Sequence, residues 1–404
     1  MTSARPLDGI RVLAVEQMLS LPYATQLLGF LGADVVKVEP LDGDGARASR
    51  PQLKAGTHEI GAVFVRGAAG KRSIAIDLKS ARGKELLLGL IPHYDVVAEN
   101  MRAGAFARLG FDFDSLVAAK PDVVLATISG YGQLGDSPYR HWPAFGPLVE
   151  AMSGLNMIGR DRGEDPIALG SYGALGDIVA GIFATLGVLA AIRLRDLTGQ
   201  PQHSDTAMLD ASMVLMDAAP LIAASGLSQH TVTGAGSGLG ETFAAKDGRL
   251  SVFVIREYMF ARLAECIGHP EWVSDPAFAR REQWADRLES DIRPAIESWA
   301  SDKDKYAAAD ELARAGVAVS VVHDADDLLE NEHVRLRNML VEVADRASGN
   351  TWPVVGNPVK LASVDDTRQF QLPDLGEHTS DVLASELGLD PAEIQALVEA
   401  GVIA

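Results

Sequence analysis

The chain has 404 residues, 47% of them hydrophobic, and a formal net charge of -19 at pH 7. That length is more than one core usually serves and predicts two domains, or one large domain with an insertion. The charge excludes sequence-independent binding to nucleic acid, which needs a phosphate-neutralising surface, and the single cysteine, Cys266, excludes an intramolecular disulfide.

The predicted elements alternate from the start. Ile10–Val15 reads as a strand, Tyr23–Leu31 as a helix and Asp34–Glu39 as a second strand, which makes a βαβ unit. A loop at Asp42–Arg47 and a polar stretch to Gly70 lead into a strand at Arg72–Leu78. Then come a helix at Ala81–Leu90, a strand at Asp95–Glu99, a helix at Phe113–Ala119 and a strand at Val123–Ile128. This order predicts an α/β fold with a Rossmann-like, doubly wound sheet, whose loops at the strand C-termini build the site. After Asp217 the composition turns small and Gly/Ser-rich, so 218–240 reads as a linker. A strand pair at Thr242–Ile255 turns at Lys246–Gly248, and helices at Tyr258–Ile267, Arg287–Ser301 and Lys305–Ala315 complete a smaller α/β domain, 241–323. Strands at Met339–Val343 and Val359–Leu361 and helices at Thr379–Leu387 and Pro391–Ala400 return the chain to the large domain, which takes 1–217 and 324–404.

Several chemistries lose their support along the way. Gln17–Pro22, after the first strand, has no glycine, so neither a nicotinamide nor a flavin fingerprint is present, although Glu39 ends the second strand where a ribose-binding acid would stand. Ser129–Gln133 has the wrong order for a nucleophile elbow, and His141, His203 and His378 lack metal-ligand spacing. The basic residues Arg47, Arg50, Lys71, Arg72, Lys79, Arg102 and Arg108 gather near strand ends and would supply a phosphate rim or a solvated face. Asn100, at the end of a strand, either binds a ligand amide or closes a turn. Gly234–Gly240 reads as a mobile lid or as a plain flexible linker.

Asp177 stands out on physical grounds. It follows the glycine-bearing stretch Gly170–Gly176 and precedes the apolar run Ile178–Ile192. Free backbone N–H groups and the positive end of the helix favour an ionised carboxylate there, as a plain N-cap or as a nucleophile, and the glycines let a ligand approach it. The run is about fifteen apolar residues, broken by Gly181 and Gly187 and ended by Arg193; a membrane span needs roughly twenty. It therefore reads as a core helix. With no apolar signal stretch at Met1–Pro6 and one cysteine, the expected setting is the cytoplasm, away from any membrane.

Taken in order, Leu7–Leu13, Leu31–Glu39, Gly70–Lys79, Glu99-Asn100, Ser129–Gln133, Ala151–Gly154, Gly176-Asp177, Thr198–Gln200 and Leu375–Thr379 resemble the class III CoA-transferases, the family of formyl-CoA transferase and the carnitine CoA-transferases. The resemblance runs nearly end to end. It implies that Asp177 attacks an acyl-CoA to give a mixed anhydride and then carries CoA as an enzyme thioester. It further implies CoA contacts at Ile76, Lys79, Asn100, Met101, Arg108 and Met208, with Gln17, Met18 and Leu19 lining the same cleft. The substrates implied are an acyl-CoA and a small carboxylic acid, with no metal or nicotinamide. The assembly implied is a homodimer of two interlocked rings. Pro40 and Gly146 depart from the family, standing near positions of an adenine-stacking arginine and an acyl-site tyrosine. The same fold also hosts intramolecular CoA transfer at the same aspartate and α-methylacyl-CoA racemases, but at the racemase histidine segment this chain has Ala144-Phe145-Gly146-Pro147.

Overall fold

In the computed structural model, which describes residues 4–55, 58–171, 173–229, 238–364 and 368–404, six strands form one parallel sheet. They are β1 (Arg11–Val15), β2 (Asp34–Glu39), β3 (Arg72–Ala75), β4 (Val96–Glu99), β5 (Val124–Ser129) and β6 (Gln202–Ala207), in the order β3-β2-β1-β4-β5-β6. This is the strand order of doubly wound nucleotide-binding sheets, and it reverses direction between β1 and β4. The ladder is in register, with Val12 beside Val35 on one side and Val96 on the other.

Both faces of the sheet are covered, which is why its strands read as nearly continuous apolar runs. On one face, Leu21, Ala24 and Leu28 of α1 (Ser20–Phe30) and Val179, Ala180, Ala184 and Val188 of α3 (Leu175–Thr198) pack on Val12, Ala14, Val96 and Val124. Between them in sequence, α2 (Gly146–Ser153) contributes Val149 to the same core. On the other face, helices Ala81–Leu90, Phe113–Ala119 and Thr379–Leu387 cover Leu13, Val36, Val97 and Leu125. The C-terminus closes that side, with Ala404 N–H donating to the Ala75 carbonyl at 3.2 Å. Helices α1 and α3 come close because Gly181 has no side chain: a Cβ there would sit 2.8 Å from the Ser20 carbonyl oxygen.

Helix α3 is longer than the sequence run suggested. It begins two residues before Asp177 and ends at Gly199, whose φ of +67° stops it in the left-handed region. At 24 residues it is long and apolar enough to cross a membrane by length and composition, and half of its most apolar window is buried. A stripe of Ile182, Leu186, Leu194 and Leu197 is exposed.

Contacts divide the chain into two units. The first comprises Met1–Asn156, Ala168–Leu215 and Glu332–Ala404; the second comprises Met157–Ile167 and Met216–Asn331. In the second, strands Leu239–Ala245, Gly248–Val254 and Ala318–Val321 form an antiparallel sheet. Its core is built on Phe243, Leu250, Phe260, Trp284 and Leu312, with Phe260 stacked on Trp284 at 4.4 Å.

Several expectations need correction. The polar stretch before Gly70 holds a hairpin, Gln52–Ala55 with His58–Gly61, and a helix, Ala62–Ala68, whose Phe64 and Val65 are buried. Within the 218–240 stretch, helix Ala219–Ala224 forms and a strand starts at Leu239. Arg287–Ser301 is not one regular helix, because the wide turn Leu288–Ile292 precedes Arg293–Ala300. Val359–Leu361 is no strand; Leu340–Asp345 pairs with Asn350–Val355 in a full six-residue ladder and, on its other edge, with Phe370–Gln371. Met1–Ser3, Tyr172 and Gly234–Ser237 of the glycine-rich stretch lie outside the described residues.

Candidate active site

The site begins where the sheet order reverses. There the β1–α1 loop is held from below by buried charges. Lys71 Nζ donates to Glu16 Oε1 at 2.6 Å and to Thr25 Oγ1 at 2.6 Å, and Lys37 Nζ donates to Asp44 Oδ2 at 2.7 Å and to the Glu16 carbonyl at 3.0 Å. Asp44 Oδ1 in turn accepts the Met18 N–H at 3.0 Å, fixing a residue with φ of +61°. Burial lowers the Lys71 ammonium to about 8, although Glu16 pulls the other way. A strained, non-glycine backbone persists only when its surroundings over-determine it, and these bonds do so.

The other wall of the loop is Asn100. Its Oδ1 accepts the Gln17 N–H and its Nδ2 donates to the Gln17 carbonyl, each at 2.9 Å. Asn100 thus closes a turn. Beneath it, buried Glu99 accepts from Met101 N–H at 2.6 Å and from the Gln133 amide, and burial raises its carboxyl to about 7 despite those bonds.

Two cavities open beside this loop. The first, about 250 Å³, is lined by Gln17, Met18, Asn100, Met101, Met208 and Asp177 of the residues singled out from the sequence, and also by Arg102, Arg140, Trp142 and Phe145. The second, about 410 Å³ and mostly apolar, is lined by Ile76, Lys79, Pro40, Leu41 and Leu78. Gln17 and Met101 line both. Leu19 and Arg108 line neither: Leu19 precedes α1, and Arg108 is exposed at the end of helix Ala105–Arg108. Among the described residues, no histidine lines the first cavity.

The basic rim is thinner than the sequence suggested. Lys71 is buried on Glu16, Arg47 makes a two-pronged contact with Glu39 at 2.7 and 2.8 Å, and Arg72 pairs with Asp34 at 2.5 Å. Glu39 is consequently engaged by Arg47 and Ser73; burial raises its carboxyl, but Arg47, Lys37 and Ser73 together outweigh that and the net shift is downward.

Asp177 is neither a cap nor a carboxylate held down by its helix. The residue before the helix is Ala174, which has no capping side chain, and Asp177 is the third residue of α3. The Gly176 N–H donates instead to Glu150 Oε1 of α2 at 2.9 Å, while the Asp177 carboxylate accepts no hydrogen bond from the described residues. Asp177 is half-buried, and its carboxyl is raised to about 6, first by burial and then by Glu150, with Arg66 opposing. Gly146 leaves it room: a Cβ on Gly146 would sit 2.5 Å from Asp177 Oδ2. At pH 7 such a group is about nine-tenths ionised and more basic than an ordinary aspartate. A carboxylate free of donors beside an open cavity can attack an electrophilic carbonyl. Glu150 is the residue that sequence reading missed. A charge inside Leu148-Val149-Glu150-Ala151-Met152 is the same kind of signal that marked Asp177.

The sequence model described as CoA-transferase family III matches residues 7–379. The chain belongs to that family. A formyl-CoA:oxalate CoA-transferase of Streptomyces avermitilis is 32% identical over 99% of this chain and 100% of its own, and the beta subunit of a succinyl-CoA–L-malate CoA-transferase of Chloroflexus aurantiacus is 29% identical over 98% of each. Among solved structures, a CAIB/BAIF family protein from Brucella suis superposes with a TM-score of 0.80 at 26% identity, covering 95% of this chain and 99% of that one. This family III CoA-transferase moves CoA from an acyl-CoA to a carboxylic acid.

Proposed function

We propose that Asp177 carries CoA covalently between the two acids. Its carboxylate adds to the donor thioester and expels the CoA thiolate, leaving a mixed acyl-aspartyl anhydride. The thiolate then attacks the aspartyl carbonyl, forming an aspartyl-CoA thioester and releasing the donor acid. The acceptor carboxylate attacks that thioester and expels the thiolate again. Attack of the thiolate on the acceptor carbonyl yields the new acyl-CoA and restores Asp177. Two easier acyl transfers replace each hard one.

The observation that carries this reading is the unencumbered, half-buried Asp177 carboxylate lining a cavity beside Gln17, Asn100 and Met208. It stays ionised at neutral pH while keeping raised basicity. The 410 Å³ cavity, with an apolar wall of Leu41, Ile76 and Leu78 and with Lys79 beside it, suits the nucleotide end of CoA, and Gln17 and Met101 lead from there to Asp177. Arg102 and Arg140 supply cations for the acid substrate, a small carboxylic acid of the kind named for the relatives, such as oxalate or malate. The exposed stripe Ile182, Leu186, Leu194 and Leu197 supports a homodimer, interlocked as the resemblance implies, and the single cysteine fits a cytoplasmic setting.

The test is chemical trapping. The protein is incubated with succinyl-CoA, acetyl-CoA or formyl-CoA, treated with hydroxylamine and mapped by mass spectrometry. A hydroxamate on Asp177, absent from Asp177→Asn, is expected; an unmodified Asp177 across the donor panel would sink the reading.

A further inference from the structure

Helix α3 has a first turn that its own sequence does not cap, and the side chain that reaches it comes from 26 residues upstream. Glu150 is fully buried on α2, with Oε1 on the Gly176 N–H and Oε2 without a hydrogen-bond partner among the described residues. Its Oε1 and Asp177 Oδ2 lie 3.7 and 2.5 Å from the same point, the place where a Gly146 Cβ would stand. Two carboxylates therefore flank one glycine, one facing the cavity and one sealed behind it.

We propose that Glu150 is a positioning residue for the nucleophile: it caps the Asp177 helix in trans and holds a second carboxylate against Asp177 from outside the cavity. A neutral glutamine would make the same hydrogen bond to Gly176. What the glutamate adds is its charge, at the cost of burying an oxygen with nothing to bind. Two consequences follow for Asp177. The helix N-terminus, which would otherwise stabilise the ionised aspartate, already has Glu150 on it. A like charge close by also disfavours a second ionised carboxylate and makes it the better base and nucleophile. The other groups around the pair do not substitute for this. Arg66, on Ala62–Ala68 and stacked 4.6 Å from the Tyr23 ring of α1, acts in the opposite sense, and the cavity arginines Arg102 and Arg140 are not among the groups that shift Asp177. Asp210 lies on helix Met208–Met213, which packs on both α2 and α3, and is not among the groups that raise Asp177.

The inference rests on Asp177 being the nucleophile only for its catalytic meaning, so it is tested by a titration as well as by turnover. Protein labelled with [13Cγ]aspartate is titrated by NMR, with Asp177→Asn assigning the resonance, in wild type, Glu150→Gln and Glu150→Asp. Removing the charge in Glu150→Gln is expected to move the Asp177 midpoint down by roughly 0.5–1 unit, and the acid limb of hydroxamate trapping with it, while Glu150→Asp keeps the wild-type midpoint. Glu150→Leu is a second neutral variant, and a folded sample of either neutral form reads the charge. An unchanged midpoint in the neutral variants overturns the proposal, because the glutamate would then be only a cap. No trapping in wild type with a shifted midpoint overturns the covalent reading and leaves the pairing of Glu150 with Asp177 standing.

Discussion

Two places in the first unit bury charge, and they do it in opposite ways. Under the β1–α1 loop, Glu16, Lys37, Lys71 and Asp44 are all buried, and each ammonium meets a carboxylate within 2.7 Å. At the head of α3, Asp177 and Glu150 flank Gly146 with no cation hydrogen-bonded to either among the described residues. The first arrangement offsets desolvation with paired charges and fixes a strained loop; the second leaves burial only partly opposed, by Arg66, and keeps the proposed nucleophile basic. Stability and reactivity are thus built from the same residue types, separated by whether the partner has the opposite sign.

The comparison can be broken hardest at the unpaired end. Asp177→Asn is expected to lower CoA transfer by roughly a thousandfold or more, since an amide cannot form the anhydride. Stability should move the other way. The Asp177 carboxyl is raised from 3.8 to about 6, so the folded protein holds this proton more tightly than the unfolded chain, and its ionisation costs stability that is absent below about pH 4 and complete above about pH 6. The same Asp177→Asn substitution should therefore stabilise by about 1–3 kcal/mol at pH 7 and by little at pH 4, read from urea unfolding at both pH values. The acid limb of wild-type turnover should lie near pH 6, where the Asp177 carboxyl takes up its proton.

At the paired end, Lys71→Met removes the cation hydrogen-bonded to buried Glu16 and leaves only Lys37, 3.6 Å away, and should cost about 3–5 kcal/mol in urea unfolding. If the loss were below about 1 kcal/mol, the knot would not be what holds the loop. Gly146→Ala sharpens the contrast by placing a methyl group against Asp177 Oδ2. The end of a side chain can swing away, so turnover should fall about 10- to 100-fold while the melting temperature changes little. The smallest effect belongs to an exposed pair: Arg72→Ala should cost under about 1 kcal/mol, because Arg72 and Asp34 are open to solvent.

Much of the scaffold was legible in the sequence. The bounds of β2 and of helices Ala81–Leu90, Phe113–Ala119 and Thr379–Leu387 come straight from apolar periodicity and flanking turn residues. The hairpin at Gln52–Gly61 and the helix at Ala62–Ala68 were not legible, because four-residue strands and a two-turn helix carry too few repeats for a period to show. Family membership was legible from ordered short motifs. Within the site, Asp177 was visible as a charge heading an apolar run, while Glu150 carried the same signal unnoticed.

The sequence by itself determined the alternation that winds the sheet and the isolation of Asp177 in an apolar setting, since both depend on neighbours a few residues apart. Only the tertiary structure decided which charges are neutralised. Lys71 reaches Glu16 across 55 positions, and Glu150 reaches Gly176 across 26, satisfying a donor of the first turn of α3 that no local side chain caps. Compensation of a buried charge depends on who stands within about 3 Å, and that distance is set by packing, not by order along the chain.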